Sequence, residues 1–371
     1  MPGKLLIRIV KGLVIAAVLL ITGSMGVATL CHSQVRVTQA NFLLEIPDAR
    51  VRGLAGGGSV FSDGAVSAFY NPAGLISSGA FSAQIYYGEF LPNLADDLYF
   101  MSAYFSRSFG NLGAYGFSYG RLSYGKQDRI SEGGIILETI EYYESSLALH
   151  GAIALNSSTS AGFGLKYINT NIIPWNIDKP RVSSFALDFG FLSKGHFPEA
   201  TVKIDDVYYP TLRKYCRAGR DEGMIFSASL LNIGPEIEFT EGSSSNGPPP
   251  RSLRLAAGYQ VLDSDYLGLR LSIDALKLLV NTDDGFSKEL REITWSYGLE
   301  ATILYIINLR AGRYLDDIGE QRYTSIGFGL GPEWCRFDYS RVLEGDYMHN
   351  RRGLETSYSL YCNIFPNIFD R

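Results

Sequence analysis

Few side chains in this 371-residue sequence have the type and spacing that catalysis or metal binding requires. The four histidines are His32, His150, His196 and His349, and none has partners at the spacing of a metal site. His150 could activate a serine, as in a phospholipase, but no spaced serine and aspartate partner can be argued. The glycine run at 56–59 lacks the Gly-Lys-Ser/Thr of a phosphate-binding loop. The sequence therefore predicts no enzyme activity, no cofactor and no metal ion.

A set of charged residues lies on the small, polar faces of the predicted strands. In one interpretation these charges pair across an enclosed space, because charges removed from bulk water must be partnered. In the other interpretation they line the path of a substrate. We favour the first, structural interpretation. The set is Lys166, Asp188, Arg254, Arg270, Asp274, Glu300, Arg310, Arg336 and Asp338.

The strongest pattern in the sequence is a period of two that recurs along the chain. Between residues 160 and 169, Phe163 and Leu165 alternate with Gly164 and Lys166. Successive side chains of a strand point to opposite faces, so each such segment has one apolar and one polar face. The segments are about 10 to 12 residues long, which exceeds the usual length of globular strands and matches a strand that crosses a bilayer. Further examples are residues 182–192, 252–261, 266–277 and 293–303.

About fourteen such segments can be counted, and an even number suits a closed antiparallel barrel. Closure is needed because an open sheet edge in lipid would leave backbone groups without hydrogen-bond partners. The predicted fold class is all-β, a transmembrane antiparallel β-barrel formed by residues 80–371. Phe163, Leu187, Leu269 and Tyr297 are predicted to face lipid. The strands are expected to start near Phe81, Tyr99, Ala114, Tyr142, Ser160, Val182, Met224, Ser252, Tyr266, Ile293, Tyr305, Tyr323, Trp334 and Leu354.

The connections between the predicted strands alternate in length, as expected for short periplasmic turns and long extracellular loops. Short connections fall at 110–112, 156–159, 262–265 and 331–333, and longer polar ones lie between them. The connection Ser193–Glu222 breaks this alternation, because it is long where a short turn is due. It is either a periplasmic insertion or contains a hairpin that the pattern does not reveal.

Residues 1–33 are predicted to be a secretory signal peptide. Lys4, Arg8 and Lys11 form a positive segment, the apolar run 13–21 follows, and small residues come next. An uncleaved helical anchor is the competing interpretation, because the apolar stretch approaches a bilayer-spanning length. The net charge of −5 gives no indication of nucleic-acid binding.

Residues 41–79 do not alternate and are rich in glycine, so they cannot form a lipid-facing strand. They form either a loose linker or a compact plug in the barrel, where glycine permits tight turns and close packing. Two motifs within them are Pro47, Asp48, Ala49, Arg50 and Gly53, and then Asn71, Pro72, Ala73 and Gly74. With these motifs the segment resembles the start of the PorV/PorQ family of FadL-like, fourteen-stranded barrels. The resemblance implies that it folds into the lumen as an N-terminal plug.

Three later segments, 229–237, 248–255 and 273–280, resemble the PorV branch of this family in the same order. The resemblance implies an outer-membrane protein of the type 9 secretion system. Such barrels receive secreted cargo proteins by their C-terminal sorting domains and pass them from the translocon to a surface attachment complex. The last residues, 368–371, depart from the family because the chain does not end on an aromatic residue. The alternative function is a FadL-like channel for hydrophobic small molecules.

Two contacts of the plug can be predicted. Asn71, Pro72 and Ala73 should form a tight turn, in which the asparagine side chain bonds nearby backbone. Arg50 should pair with a carboxylate of the wall, because an unpaired guanidinium inside a plugged lumen would be costly. The candidate partners are Asp188, Asp274, Glu300 and Asp338.

Three cysteines, Cys216, Cys335 and Cys362, follow the predicted signal peptide and give no disulfide framework. Cys335 and Cys362 are predicted to lie on neighbouring strands, toward the periplasmic end of the barrel. Whether they are bonded stays open at this point. The compartment is oxidising, whereas a Cα separation above about 7 Å would exclude the bond.

Overall fold

The computed structural model describes residues 38–92, 94–131, 133–172, 182–197, 202–204, 223–238, 246–264, 266–279, 292–319, 321–343 and 355–364. The predicted signal peptide, residues 1–33, lies outside these ranges. So do Cys216, His349 and most of the connection Ser193–Glu222.

Most of the described residues belong to β-strands, and the predicted starts agree closely with those of the long strands. The largest difference is at β4, which begins at Ile136 instead of near Tyr142. The short β7 lies within Ser193–Glu222 and was not predicted. The strands are β1 (Phe81–Glu89), β2 (Leu98–Ser108), β3 (Ala114–Ile130), β4 (Ile136–Ala154), β5 (Thr159–Asn171), β6 (Val182–His196), β7 (Val202–Ile204), β8 (Met224–Ile233), β9 (Ser252–Ser264), β10 (Leu267–Leu278), β11 (Thr294–Ile303), β12 (Ile307–Asp316), β13 (Gln321–Leu330), β14 (Cys335–Val342) and β15 (Thr356–Ile364).

Fourteen of these strands form a closed antiparallel ring. Each pairs with the next long strand along the chain, and β15 pairs with β1 to complete the circle. The three-residue β7 lies beside the ring and runs parallel to the end of β9. The predicted fourteen-stranded barrel is therefore confirmed. Closure gives every long strand two neighbours, as a sheet surrounded by lipid requires.

The two ends of the ring differ. Short turns at 109–113, 155–158 and 331–334 join strands at one end, where Phe81 of β1 also pairs with Ile364 of β15. At the opposite end most connections are longer, although β12 and β13 are joined by only residues 317–320, and β3 and β4 continue beyond their neighbours. In outer-membrane barrels the short turns are periplasmic, so the long connections are extracellular.

The two faces of the barrel wall have opposite compositions. Large apolar side chains such as Ile85, Leu149 and Phe185 are more than half exposed on the outside, whereas polar and charged side chains are buried inside. This arrangement reverses that of a soluble protein and suits lipid contact. Tyr314 and Tyr323 stack with ring centroids 4.6 Å apart near the long-connection end, as expected for an aromatic girdle.

Phe163 and Tyr297 lie on the outer face as predicted, and Leu187 is partly exposed there. The prediction that Leu269 is exposed to lipid is wrong, because only 6% of this residue is accessible. Leu269 pairs with Ala301 in an unbroken register between β10 and β11, which keeps it on the same face as Tyr297. On its other side, next to a shift of register in β9, its partner is the buried Leu262. A period of two indicates which face of a strand a side chain takes, but not how much of that side chain is covered.

Inside the ring lies a compact segment, residues 41–79, which we call the plug. Its short helices are almost entirely buried and contact strands on several sides of the barrel. Within the described ranges, no helix has the length and apolarity to cross a membrane. The α-helices are α1 (Ala49–Gly53) and α2 (Ser67–Tyr70), and the 3-10 helices are Asn41–Leu44, Ser59–Phe61, Gly64–Val66, Pro72–Ser77 and, outside the plug, Gly110–Leu112.

Candidate functional site

Arg50 joins the plug to one side of the barrel. The carboxylate of Asp48 accepts a hydrogen bond from the backbone N–H of Arg50 at 3.0 Å and so caps α1. The guanidinium of Arg50 donates from Nε and Nη2 to the two carboxylate oxygens of Glu300, each at 2.9 Å. Its Nη1 donates to Asp63 at 3.1 Å and to the carbonyl of Phe61 at 2.8 Å. Of the four candidate carboxylates, Glu300 is the partner of Arg50.

Glu300 is also the centre of an ion cluster on the wall. Arg270 on β10 and Arg310 on β12 are its direct cross-strand neighbours, so the pleat places all three side chains on the inner face. Arg310 donates to Glu300 at 2.6 Å and to Asp338 at 2.7 Å, and Arg336 donates to Asp338 at 2.8 Å. Arg270 lies 3.4 Å from Glu300. Charge-assisted bonds of this kind fix geometry strongly in a buried site.

A second wall pair reaches the plug through a serine. Arg254 on β9 lies 3.2 Å from the Asp274 carboxylate on β10, and Asp274 also accepts a hydrogen bond from the hydroxyl of Ser59. With the pair of Lys166 on β5 and Asp188 on β6, every member of the predicted set of nine charges has an ionic partner. That is the arrangement expected if the charges hold the barrel and plug together.

The ionic contacts of Arg52 did not follow from the sequence pattern. Arg52 donates to Glu355 and lies 3.5 Å from Glu45. Glu355 stands immediately before β15 and close to the predicted strand start at Leu354, but nothing in the alternation linked it to the plug. The available signal was Arg52 itself, a second arginine in the helix that carries Arg50.

Asn71 joins the other half of the plug to the wall. Its Oδ1 accepts a hydrogen bond from the backbone N–H of Ala73 at 2.9 Å and so caps the 3-10 helix that begins at Pro72. Its Nδ2 donates to the carbonyl of Phe191 at 2.8 Å and to the hydroxyl of Ser227 at 2.7 Å. The predicted turn is present, and the same side chain also binds two strands of the barrel.

Two wall glycines allow the Asn-Pro-Ala turn to approach this closely. A Cβ atom at Gly162 would overlap the backbone of Pro72 and Ala73, and one at Gly190 would overlap the side chain of Asn71. The plug backbone therefore rests directly on β5 and β6, where any larger residue would displace it. The sequence showed both glycines as small residues on polar faces but gave no indication of what they contact.

The remaining motif residues are also buried contacts. The carbonyl of Pro47 accepts a hydrogen bond from the side chain of Gln84 at 3.2 Å, and Gly53 packs against the backbone of Gly327. Ala49 is fully buried and Gly74 packs on Ser67.

Burial also affects the acid that caps α1. The pKa of Asp48 is raised by burial, and the negative charge of Asp338 raises it further. The positive charges of Arg50 and Arg336 and the hydrogen bond from the Arg50 backbone act in the opposite direction, and burial outweighs them.

The side of the lumen near His150 is less ionic. The Nε2 atom of His150 lies 3.0 Å from the hydroxyl of Ser118, and Lys166 pairs with Asp188 at 2.8 Å. A cavity of about 20 Å³ lies among these residues and the aromatic ring of Phe42. It has room for about one water molecule.

The pair Ser118 and His150 is one hydrogen bond short of a serine–histidine–acid arrangement. In the part of the chain that the structure describes, the Nδ1 atom of His150 has no hydrogen-bond partner. A serine–histidine pair needs such a partner to fix the imidazole as a base. Nor do the described residues contain a group of histidine, cysteine or acidic side chains that could hold a metal ion.

The family model of the type IX secretion system protein PorV matches residues 30–285, which is more than half of the chain. The chain belongs to the PorV family. This membership and the closed barrel identify an outer-membrane protein of a secretion family.

Solved outer-membrane proteins are similar to this PorV-family chain at low sequence identity. The Pseudomonas putida toluene transporter TodX is 10% identical, with a TM-score of 0.49 over 85% of this chain and 98% of TodX. The Ralstonia pickettii toluene transporter TbuX is 11% identical, with a TM-score of 0.45 over 81% and 94%. A Pseudomonas aeruginosa FadL homologue is 11% identical, with a TM-score of 0.44 over 85% and 97%. No curated protein matches the chain.

Proposed function

We propose that this PorV-family barrel binds secreted cargo proteins by their C-terminal sorting domains and passes them from the type IX translocon to the surface attachment complex. In this role the barrel is a membrane-embedded carrier, and its binding surface lies outside the lumen. Support comes from family membership, from the packing of the lumen and from one exposed structure at the extracellular end.

The lumen supports a carrier better than a channel. The plug is fixed to the wall by Arg50, Arg52 and Asn71, and a cavity of about 20 Å³ lies beside it. A cavity of that size holds about one water and has no room for a hydrophobic ligand. The alternative, a FadL-like channel for hydrophobic small molecules, needs an apolar pocket beneath the plug.

The observation that carries the proposal is a hairpin arm, residues 126–141, formed by the distal parts of β3 and β4. The β2 partner of β3 ends opposite Tyr124, and the β5 partner of β4 ends opposite Tyr143. Beyond these residues the two strands pair only with each other within the described ranges. The arm therefore stands clear of the barrel with two strand edges that another chain can extend.

The tip of the arm is apolar and exposed. Ile130, Ile135, Ile136 and Leu137 are between 56% and 69% exposed. Exposed apolar clusters at the end of a polar hairpin mark protein contact surfaces. The pairs Arg129–Glu138 and Arg121–Glu141 support the hairpin below the tip, at 3.1 Å and 2.7 Å. A β-rich cargo domain could add a strand to the arm edge and cover the tip.

The test uses the double variant Ile135→Asp, Leu137→Asp, with Leu112→Asp as the control. Leu112 is 85% exposed but lies in a turn at the opposite end of the barrel. We expect the double variant to assemble normally and to lose at least about tenfold in capture of a purified cargo sorting domain, since two central anchors are removed. The control should bind as the wild type does.

Surface display of cargo and uptake of a labelled fatty acid would be measured on the same cells. Loss of display with unchanged uptake is the expected result. Normal cargo capture and display by the double variant would exclude the arm as the binding surface. Fatty-acid uptake that depends on this barrel, together with normal export in its absence, would overturn the proposed function.

A further inference from the structure

Cys335 and Cys362 lie side by side near the periplasmic end of the barrel. Their thiols are free in this structure, with the two sulfur atoms 3.1 Å apart. We propose that these two residues form an interstrand disulfide in the mature outer-membrane protein. The proposal does not depend on the identity of the cargo or on the hairpin arm.

Strand register places the two cysteines in the most favourable relation. Cys335 of β14 is the direct cross-strand partner of Cys362 of β15. The backbone N–H of Asn363 donates to the carbonyl of Trp334 at 2.6 Å, so the bond joins the residues that flank the pair. The cysteines therefore occupy a non-hydrogen-bonded position, where opposed Cα atoms lie about 4.5 Å apart and side chains approach closely.

That geometry meets the requirements of a disulfide. A Cα separation of about 4.5 Å falls within the range of natural disulfides, and the sulfurs must approach by only about 1 Å to reach bonding distance. Side-chain rotation can supply this movement without a change in the register of β14 or β15. A Cα separation above about 7 Å would exclude a disulfide, but directly paired residues of neighbouring strands lie closer than that.

Access and compartment also favour the bond. Both residues are partly exposed, and Cys335 is the first residue of β14 after the short turn 331–334. A chain that reaches the outer membrane crosses the oxidising periplasm. A thiol–disulfide oxidoreductase carrying a disulfide is the class of oxidant that the reaction needs.

The exchange proceeds in two balanced steps. The thiolate of one cysteine attacks the disulfide of the oxidoreductase, which forms a mixed disulfide and releases one donor thiolate. The thiolate of the second cysteine then attacks the mixed disulfide, which forms the Cys335–Cys362 bond and releases the second donor thiolate. The donor gains two electrons and the two protons lost by the cysteines.

The position of the bond explains what it would do. β15 is the strand that closes the ring on β1, where Cys362 is paired with Ala83. β14 carries Arg336 and Asp338 of the ion cluster, directly after Cys335. A covalent link between the two strands therefore holds the closing strand to the strand that supports the plug.

Peptide mapping tests the bond directly in the native protein. Cells are treated with N-ethylmaleimide, and the barrel is purified in denaturant without reductant and digested with trypsin. Cleavage at arginine places Cys335 in peptide 323–336 and Cys362 in peptide 353–371. We expect these two peptides as one cross-linked species that separates on reduction. Recovery of both as maleimide adducts without reduction would overturn the proposal.

A second measurement compares the stability of the wild-type barrel with and without a reductant, so its main result does not require a variant to fold. A reductant should lower the folding equilibrium constant of the wild-type barrel by roughly a hundredfold, because opening a loop of this length restores entropy to the unfolded chain. Unfolding of the double variant Cys335→Ser, Cys362→Ser should not respond to the reductant. An equal response of both proteins would contradict the proposal, whereas loss of cargo capture would bear only on the proposed function.

Discussion

Two neighbouring residues of β5 show how differently the two faces of the barrel wall are built. Phe163 lies on the outer face, is almost half exposed and makes a ring contact with Phe189 at 5.8 Å. Gly162 lies on the inner face, directly against the backbone of Pro72 and Ala73. The outer position needs only an apolar side chain, whereas the inner position accepts only the smallest residue.

The same contrast holds around the ring. On the outside the surrounding medium is lipid, and a lipid-facing position accepts most side chains that carry no charge. On the inside, each wall residue meets a particular group of the plug, as Glu300 meets Arg50 and Ser227 meets Asn71. We therefore expect the stability of the barrel to depend on the polarity of a substituted residue on the outer face, and on its particular contacts on the inner face.

The largest effect is expected from Glu300→Ala. This change leaves the guanidinium groups of Arg50 and Arg310 buried without their shared carboxylate. Removal of one partner from a buried ion pair costs about 3–5 kcal/mol. The free energy of unfolding, measured with urea on barrels in lipid, should fall by that amount. The matched control is Glu138→Ala in the exposed pair with Arg129, which should cost under about 1 kcal/mol. Similar losses for both variants would show that the inner pairs are no more important than surface ones.

The next effect is expected on the outer face from Phe163→Arg. A charged side chain in the lipid-facing band costs about 2–4 kcal/mol near the middle of the bilayer. The control Phe163→Leu keeps the position apolar and should leave the unfolding free energy nearly unchanged. The leucine variant should not lose as much stability as the arginine variant. Equal losses would mean that side-chain contacts, and not polarity, determine the effect of substitutions on the outer face.

The smallest effect is expected from one substitution made on each face. Gly162→Ala places a methyl group against the plug backbone and should cost about 1–3 kcal/mol, as overpacking usually does. Gly151→Ala on the adjacent strand meets nothing within 4 Å and should be nearly neutral. The two residues lie on neighbouring strands, so strand propensity is matched. The measurement is the temperature at which the band of the folded barrel disappears on a denaturing gel. An equal decrease of this temperature in both variants would mean that the plug backbone does not pack tightly against Gly162.

Much of the fold could be predicted because the strands of a barrel in lipid alternate between apolar and polar residues over a bilayer-spanning length. Alternation gave the inner and outer faces of most strands, and strand length separated a membrane barrel from a soluble sandwich. The prediction from alternation was least accurate where strand pairing is irregular or continues beyond the bilayer. Leu269 lies next to a shift of register in β9, and β4 continues into the arm, where no bilayer imposes the pattern.

The site was predicted less completely. The nine charges of the inner face followed from alternation alone, but which of them paired did not. Glu355 lies at the start of the last predicted strand, and the alternation gave no link between it and Arg52. The contacts of Gly162 and Gly190 could not be predicted, because a glycine has no side chain that indicates its neighbour.

The sequence by itself determined the strands, their faces and the presence of a segment that could not face lipid, since these depend on local polarity and spacing. Only the tertiary structure decided that Arg50 meets Glu300, that Asn71 rests on Gly190 and that Cys335 faces Cys362. These contacts join residues far apart in the chain, and their geometry depends on ring closure and on the register of each strand pair. A shift of one residue in that register would leave the composition of the chain unchanged and would turn each of these side chains to the other face.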